Sequence, residues 1–301
     1  WNAIESLGQW CARYDIPALS GIDTRAVVTL LRQQGSTLGE IRVGEELVAG
    51  TQEPLEDPNV RNLIAEVSTK KKVVYNKDGD VKIALIDCGV KQNIIRCLAR
   101  RGAQVTVVPW DYDLTQDPTP YDGIFISNGP GNPSLAAKTI TNLRALMAPS
   151  PNTIPTPIFG ICMGNQLLGM AAGFEAYKMP YGNRGHNQPA INLVTGKCVI
   201  TSQNHGYALD DGNAVPEGWI PFFRNANDGS NEGVRHVSLP YASVQFHPEA
   251  MGGPEDTDYL FQEYLDEVRA YKVVRNRMQG GTRVRASMPP ASIAPRMHLS
   301  L

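Results

Sequence analysis

From Lys82 to Gly173 the chain alternates apolar runs with amphipathic stretches. KIALIDCG is a near-continuous apolar run that stops at Gly89, and predicts a buried strand. KQNIIRCLARRG carries helical spacing and ends at Gly102, and AQVTVVPW predicts the next strand. YDGIFISNGPGNP reads as a strand running into a Gly/Pro loop. TITNLRALMA follows as a helix, TPIFGIC as a strand and MGNQLLGMAAG as a helix. This alternation predicts an α/β fold with an open, mostly parallel sheet flanked by helices. Such sheets bind ligands at the carboxyl ends of their strands, so the loops after Asp87, Ser127 and Ile161 are expected to meet.

Outside that block the pattern changes. After Gly173 the chain becomes strand-rich, with CVITSQNHGYAL and YASVQFHPEA, before a helix over TDYLFQEYLDEVRAYKVV. Upstream, ESLGQWCARYDI is amphipathic, and DTRAVVTLLRQQG predicts a helix capped by Asp23 and stopped at Gly35. Lys70, Lys71 and Lys72 with the turn Asn76-Lys77-Asp78-Gly79 mark a boundary, and Asp78-Gly79 suggests a tight hairpin. Residues 276–301 lack apolar periodicity and are expected to form a flexible linker or tail. The expected division is part of a small N-terminal domain over 1–70, a linker over 71–81, a main domain over 82–275 and the tail. With no initiator Met, the chain reads as a fragment or processed piece.

Composition narrows the function classes. A net charge of −2 over 301 residues disfavours a nucleic-acid or membrane-surface binder. No apolar run reaches transmembrane length, and the N-terminus lacks the basic and apolar regions of a signal peptide. The five cysteines are scattered without CxxC spacing, which disfavours a disulfide framework or a zinc site and suits a cytoplasmic setting. His186, His205, His236 and His298 lack ligand-like spacing, so no metal site is expected.

Three segments carry candidate chemistry. Cys162, in Gly160-Ile161-Cys162-Met163-Gly164, sits between a buried strand and a helix, as a nucleophile elbow does. The helix N-terminus favours a thiolate, and the Met163 N–H can face a developing oxyanion. Alone, the pentapeptide is as well explained by a core cysteine between chance glycines. In Phe246-His247-Pro248-Glu249 the His-x-Glu spacing puts two side chains on one face of an extended segment. Glu249 can then orient His247, and His247 can take a thiol proton. A strand-end histidine bonded to a carbonyl is the ordinary alternative. The loop Ser127-Asn128-Gly129-Pro130-Gly131-Asn132-Pro133 can aim backbone amides at a ligand, or simply be a tight turn.

In combination, the glycine loop, the elbow cysteine and His-Pro-Glu resemble the class I glutamine amidotransferases, over about Lys82 to Val274. That resemblance implies a flavodoxin-like α/β domain and hydrolysis of glutamine to glutamate and ammonia through a cysteinyl thioester. It implies Cys162 as nucleophile, His247 as general base and acid, and Glu249 as its partner. Gly129 and Met163 would line the oxyanion region; Gly131, Gln166, Asn204, Gly206 and Tyr207 would hold glutamine. Ile22-Asp23-Thr24-Arg25, Ser202 to Tyr207 and Tyr181 to Pro189 look like the small subunit or glutaminase domain of carbamoyl phosphate synthetase. The runs GNRGHNQP and NANDGSNEG look most like the fused, multifunctional pyrimidine-pathway type. The implied partner is a synthetase large subunit or fused synthetase domain. No cofactor is implied here, and ATP, bicarbonate and Mg²⁺ would be used by the synthetase. The chain lacks a GxxxxGK[ST] loop of its own.

Two departures stand out. Asn165 occupies a position where the family often has His, and a serine contact to glutamine that the family places upstream is missing. Three rivals remain open: a glutaminase serving another acceptor, such as anthranilate or GMP synthesis; a peptidase-like or γ-glutamyl hydrolase; and a non-catalytic module docked on a synthetase.

Overall fold

A computed structural model describes residues 3–34, 37–41, 55–149 and 154–279. The chain divides into two compact units, Trp1–Asp57 and Pro58–Leu301. In the first, α1 (Leu7–Arg13) begins with a reciprocal cap. The Gln9 N–H donates to Ser6 Oγ at 3.2 Å, and the Ser6 N–H donates to Gln9 Oε1 at 2.8 Å. The next helix, α2 (Thr24–Gln34), is capped as expected, with the Ala26 N–H donating to Asp23 Oδ1 at 2.9 Å. The expected stop at Gly35 lies outside the described residues.

The second unit opens with α3 (Leu63–Val67) and is built on one sheet. Its parallel part comprises β2 (Val81–Asp87), β3 (Ala103–Pro109), β4 (Gly123–Ile126), β5 (Ile158–Ile161) and β10 (Tyr241–Val244), in the order β3-β2-β4-β5-β10. Side chains alternate between two cores. Ile83, Leu85 and Phe125 join one, with α4 (Gln92–Arg100) and α7 (Tyr259–Gln279). Ala84, Ile86, Ile124 and Ile126 join the other, with α5 (Ala137–Met147) and α6 (Met163–Ala172). Both faces are therefore apolar, which is why these strands read as continuous hydrophobic runs.

The remaining strands run antiparallel. Short β1 (Val73–Tyr75) edges β3, and β9 (Asn231–His236), β8 (Trp219–Asn225), β6 (Glu175–Asn192) and β7 (Cys198–Asp210) extend the sheet beyond β10. Among the described residues the sheet is thus mixed, its parallel half carrying the helices and its antiparallel half forming a long β6–β7 arm.

Three expectations need correction. The boundary between the units falls at Asp57/Pro58 rather than near residue 70. Residues 71–81 are not a plain linker, because Val73–Tyr75 pair with β3. The Asn76–Gly79 turn exists, with the Gly79 N–H on the Asn76 carbonyl at 3.0 Å, but makes no hairpin, since β1 pairs with β3 and not β2. Of the expected tail, 276–279 belong to α7 and 280–301 lie outside the described residues. No helix among the described residues is long and apolar enough to cross a membrane.

Candidate active site

The loops after β2, β4 and β5 do meet. The Cys88 N–H donates to Ser127 Oγ at 2.9 Å, and the Lys91 N–H to Asn128 Oδ1 at 3.1 Å. Between β5 and α6 stands Cys162, whose backbone (φ 55°, ψ −103°) is a conformation that L-residues rarely adopt. It is held on both sides: its N–H donates to Val244 C=O at 2.8 Å, and its C=O accepts from Gln166 N–H at 3.2 Å. The flanking glycines are explained by contact. A Cβ on Gly160 would lie 2.5 Å from the Gly164 oxygen, and one on Gly164 2.3 Å from the Ile126 oxygen. The first turn of α6 thus rests directly on the sheet, pushing the thiol up at the strand ends. The Met163 N–H, at the first position of α6, has no place in the helix's own ladder and is available to an oxyanion.

His247 and Glu249 follow β10. The His247 N–H donates to Ser202 C=O at 2.8 Å, fixing the segment to β7. Its Nδ1 lies 2.7 Å from Glu249 Oε1, which leaves Nε2 for the Cys162 thiol. Both residues are almost fully buried. Burial opposes the imidazolium, but the charge and hydrogen bond of Cys162, with those of Glu249, outweigh it and raise His247 to about 9. Burial likewise opposes the Glu249 carboxylate, yet His247 and Lys91 hold it below the usual range.

Lys91 was not singled out from the sequence. Its Nζ lies 3.2 Å from Glu249 Oε1 and 3.1 Å from His247 Nδ1. The consistent arrangement has Glu249 Oε1 accepting from both the imidazole and the ammonium. Asn93 Nδ2 adds a bond to the Glu249 carbonyl. No local signal marks Lys91, because a lysine opening a helix normally reads as solvated.

Of the residues expected to hold glutamine, Asn204 is the one whose contact with the thiol is resolved among the described residues. Cys162 Sγ lies 3.9 Å from the carbonyl oxygen of Asn204, on β7 with Gly206 and Tyr207. Gln166 is buried on α6, its Nε2 donating to Tyr207 C=O at 3.0 Å and Gln245 Oε1 at 3.2 Å. A Cβ on Gly129 would lie 2.1 Å from the Cys88 oxygen, so that loop must carry glycine to pack on the β2 loop. Gly131, in left-handed geometry (φ 85°), faces Leu63 of α3. Asn165 is wholly buried, bonded to Gln245 Oε1 at 3.0 Å and to Ser243 Oγ at 2.8 Å. It braces α6 from beneath. Of the other cysteines in this unit, Cys88 and Cys97 are buried and their thiols pushed up, burial being the first cause. Neither has a histidine partner among the described residues.

A thiol paired with an imidazole of raised pKa fixes the pH dependence of any nucleophilic step. The Cys162–His247 pair keeps its imidazolium until the pH passes about 9. Turnover per encounter (kcat/KM) is therefore expected to hold through neutral pH and fall on the alkaline side near 9. An alkaline limb near 6.5, the value of a free imidazole, would contradict the pairing.

Residues 84–267 match the family model for class I glutamine amidotransferases. The chain belongs to the class I glutamine amidotransferase family. Residues 1–41 match the synthase domain of the carbamoyl-phosphate synthase small chain. Over 276 residues the chain is 52% identical to the carbamoyl phosphate synthase arginine-specific small chain of Schizosaccharomyces pombe, covering 91% of this chain and 65% of that one. It is 54% identical over 273 residues to the chain of the same description from Neosartorya fischeri, covering 90% of this chain and 59% of that one. The chain thus spans about three fifths of the length of these relatives. They are arginine-specific small chains, whereas GNRGHNQP and NANDGSNEG had suggested the fused pyrimidine type. A solved Thermoplasma acidophilum protein, assigned as one subunit of a GMP synthase, superposes with a TM-score of 0.56 at 20% identity. The match covers 65% of this chain and 98% of that one, and supports the fold alone.

Proposed function

We propose that this chain is the glutamine-hydrolysing part of a carbamoyl phosphate synthase small chain, and that it delivers ammonia to a synthetase large subunit. The observation that carries the reading is Cys162, strained at the end of β5, beside an imidazole held by a buried carboxylate. The Cys162 thiolate attacks the side-chain amide carbon of glutamine. The Met163 N–H and the Gly129 loop face the oxyanion. Protonated His247 gives its proton to the departing nitrogen, the C–N bond breaks, and ammonia leaves a γ-glutamyl thioester. Water, deprotonated by His247, then attacks the thioester carbon and releases glutamate and the thiolate. Glu249 and Lys91 hold the imidazole throughout. Asn204, Gly206, Tyr207, Gln166 and Gly131 form the substrate wall in this reading.

This part needs no cofactor of its own in that scheme; ATP, bicarbonate and Mg²⁺ serve the synthetase that consumes the ammonia. The match of residues 1–41 and the small-chain relatives favour carbamoyl phosphate synthesis over other acceptors, and favour the arginine-specific, separate-subunit form over a fusion. The full-length protein should release glutamate from glutamine, faster when its synthetase partner is turning over ATP and bicarbonate. Absence of glutamate release in that assembled system would refute the assignment.

A further inference from the structure

Gln245 is fully buried and lies between two parts of the candidate site. One residue before it, Val244 C=O accepts the Cys162 N–H at 2.8 Å, and two residues after it comes His247. Its Oε1 accepts from two side chains of α6, Asn165 Nδ2 at 3.0 Å and Gln166 Nε2 at 3.2 Å. Its Nε2, at the other end of the amide, has no hydrogen-bond partner among the described residues. A donor left unmet in a core opposes stability, and an apolar side chain of similar size would avoid it. What Gln245 supplies and an apolar residue cannot is the acceptor at Oε1.

One backbone carbonyl settles the direction of every bond around that oxygen. Tyr207 C=O only accepts, so the Gln166 atom 3.0 Å from it is the amide nitrogen. That nitrogen meets Gln245 at its oxygen, and the same oxygen faces the Asn165 nitrogen. Asn165 Oδ1 is then left to accept from Ser243 Oγ at 2.8 Å. Ser243, Asn165, Gln245, Gln166 and Tyr207 form one chain with Gln245 Oε1 at its centre. An amide nitrogen carries two N–H donors, and Gln166 spends both on these carbonyl oxygens. Its own oxygen is the group left to meet a ligand. The last torsion of a glutamine side chain is soft, so the two bonds, and not the rotamer, fix where that oxygen points.

We propose that Gln245 is a positioning residue for glutamine binding: its Oε1 holds the Gln166 amide so that the Gln166 oxygen faces the N–H groups of the substrate, while Asn165 and Ser243 hold Gln245 in turn. This role rests on the glutaminase reading above. Among the described residues the side-chain bonds of Gln245 run to Asn165 and Gln166, so its effect reaches the substrate through Gln166. Asn165 fits the same scheme. Its acceptor meets Ser243 and its donor meets Gln245, so both ends of that buried amide are used.

The test is steady-state glutamine hydrolysis by the full-length protein assembled with its synthetase. Gln245→Met keeps the length of the side chain but removes the acceptor, and should raise KM for glutamine about tenfold while kcat stays within about threefold. Gln166→Met should raise KM by itself. The double variant should have the KM of Gln166→Met alone, within about twofold, because Gln245 acts through Gln166. A merely structural role would multiply the two effects. Alkylation of Cys162 by iodoacetamide without glutamine, followed on its own peptide by mass spectrometry, should keep its native rate in Gln245→Met. Ser243→Ala cuts the same chain more mildly at its far end. It should raise KM about threefold in the native background and not at all in Gln166→Met, and it decides if Gln245→Met does not fold. An unaltered KM in Gln245→Met or in Gln166→Met, multiplied effects in the double variant, or slowed alkylation of Cys162 would overturn the role of Gln245. A native assembly that releases no glutamate would instead refute the glutaminase reading itself.

Discussion

Cys162→Ser should lose glutamine-dependent synthesis by on the order of a thousandfold or more, while synthesis from free ammonia survives. The change removes one atom's chemistry and little volume. A serine hydroxyl ionises far above a thiol, and in the proposed reaction the φ 55° elbow, the Val244 and Gln166 bonds and the raised His247 would all serve a group that must become an anion. The imidazolium that balances a thiolate has no such counter-charge opposite a hydroxyl, so His247 should fall back toward an ordinary imidazole value in the variant. Ammonia-dependent synthesis is the informative arm, because it bypasses the elbow and reports only whether the synthetase is intact. His247→Asn should show the same separation. Cys88→Ala, Cys97→Ala and Cys198→Ala should keep glutaminase turnover near normal, since none of these is placed against His247. Equal loss of both activities in Cys162→Ser would place Cys162 in folding or assembly rather than in glutamine chemistry.

The parts legible in the sequence share a short range. Buried parallel strands show as apolar runs, and the elbow and His-x-Glu each lie within five residues, so their geometry follows from the local backbone. The antiparallel half was harder to see. The strand β6 is eighteen residues long but mostly solvent-facing, and its GNRGHNQP run reads as loop. The strand β9 buries Asn231 and Glu232 where a core strand would show apolar residues, and β1 is only three residues beside lysines. Long-range partners were not visible at all. Lys91 reaches His247 and Glu249 across more than 150 positions of sequence, and Gln245 reaches Gln166 across 79. Such contacts arise from strand order, which periodicity does not encode.

The glycine after the elbow yields the second large effect. Gly164→Ala is expected to destabilise the protein by roughly 1–3 kcal/mol, as overpacking does, and to cut glutaminase kcat/KM by about a hundredfold. By helix propensity alone the change should help, since alanine is favoured over glycine by about 1 kcal/mol in a helix. Contact decides the sign. The new Cβ would sit 2.3 Å from the Ile126 oxygen and 2.9 Å from its carbon, both backbone atoms of β4. That strand is paired on one side with β2 and on the other with β5, so it cannot yield. The first turn of α6 must lift by about an ångström instead, and Cys162 and Met163 lift with it. The thiol and the Met163 N–H are then displaced from His247, which stays anchored to Ser202. Gly8→Ala is the matched control. It lies in α1 with nothing within 4 Å of its added Cβ, so propensity should act there unopposed. Thermal unfolding with glutamine kinetics on both variants separates the effects: Gly8→Ala should be neutral or slightly stabilising and fully active. A Gly164→Ala enzyme with native kcat/KM would show that the elbow tolerates a side chain at its base, and that the close seating of α6 on β4 is not what positions the nucleophile.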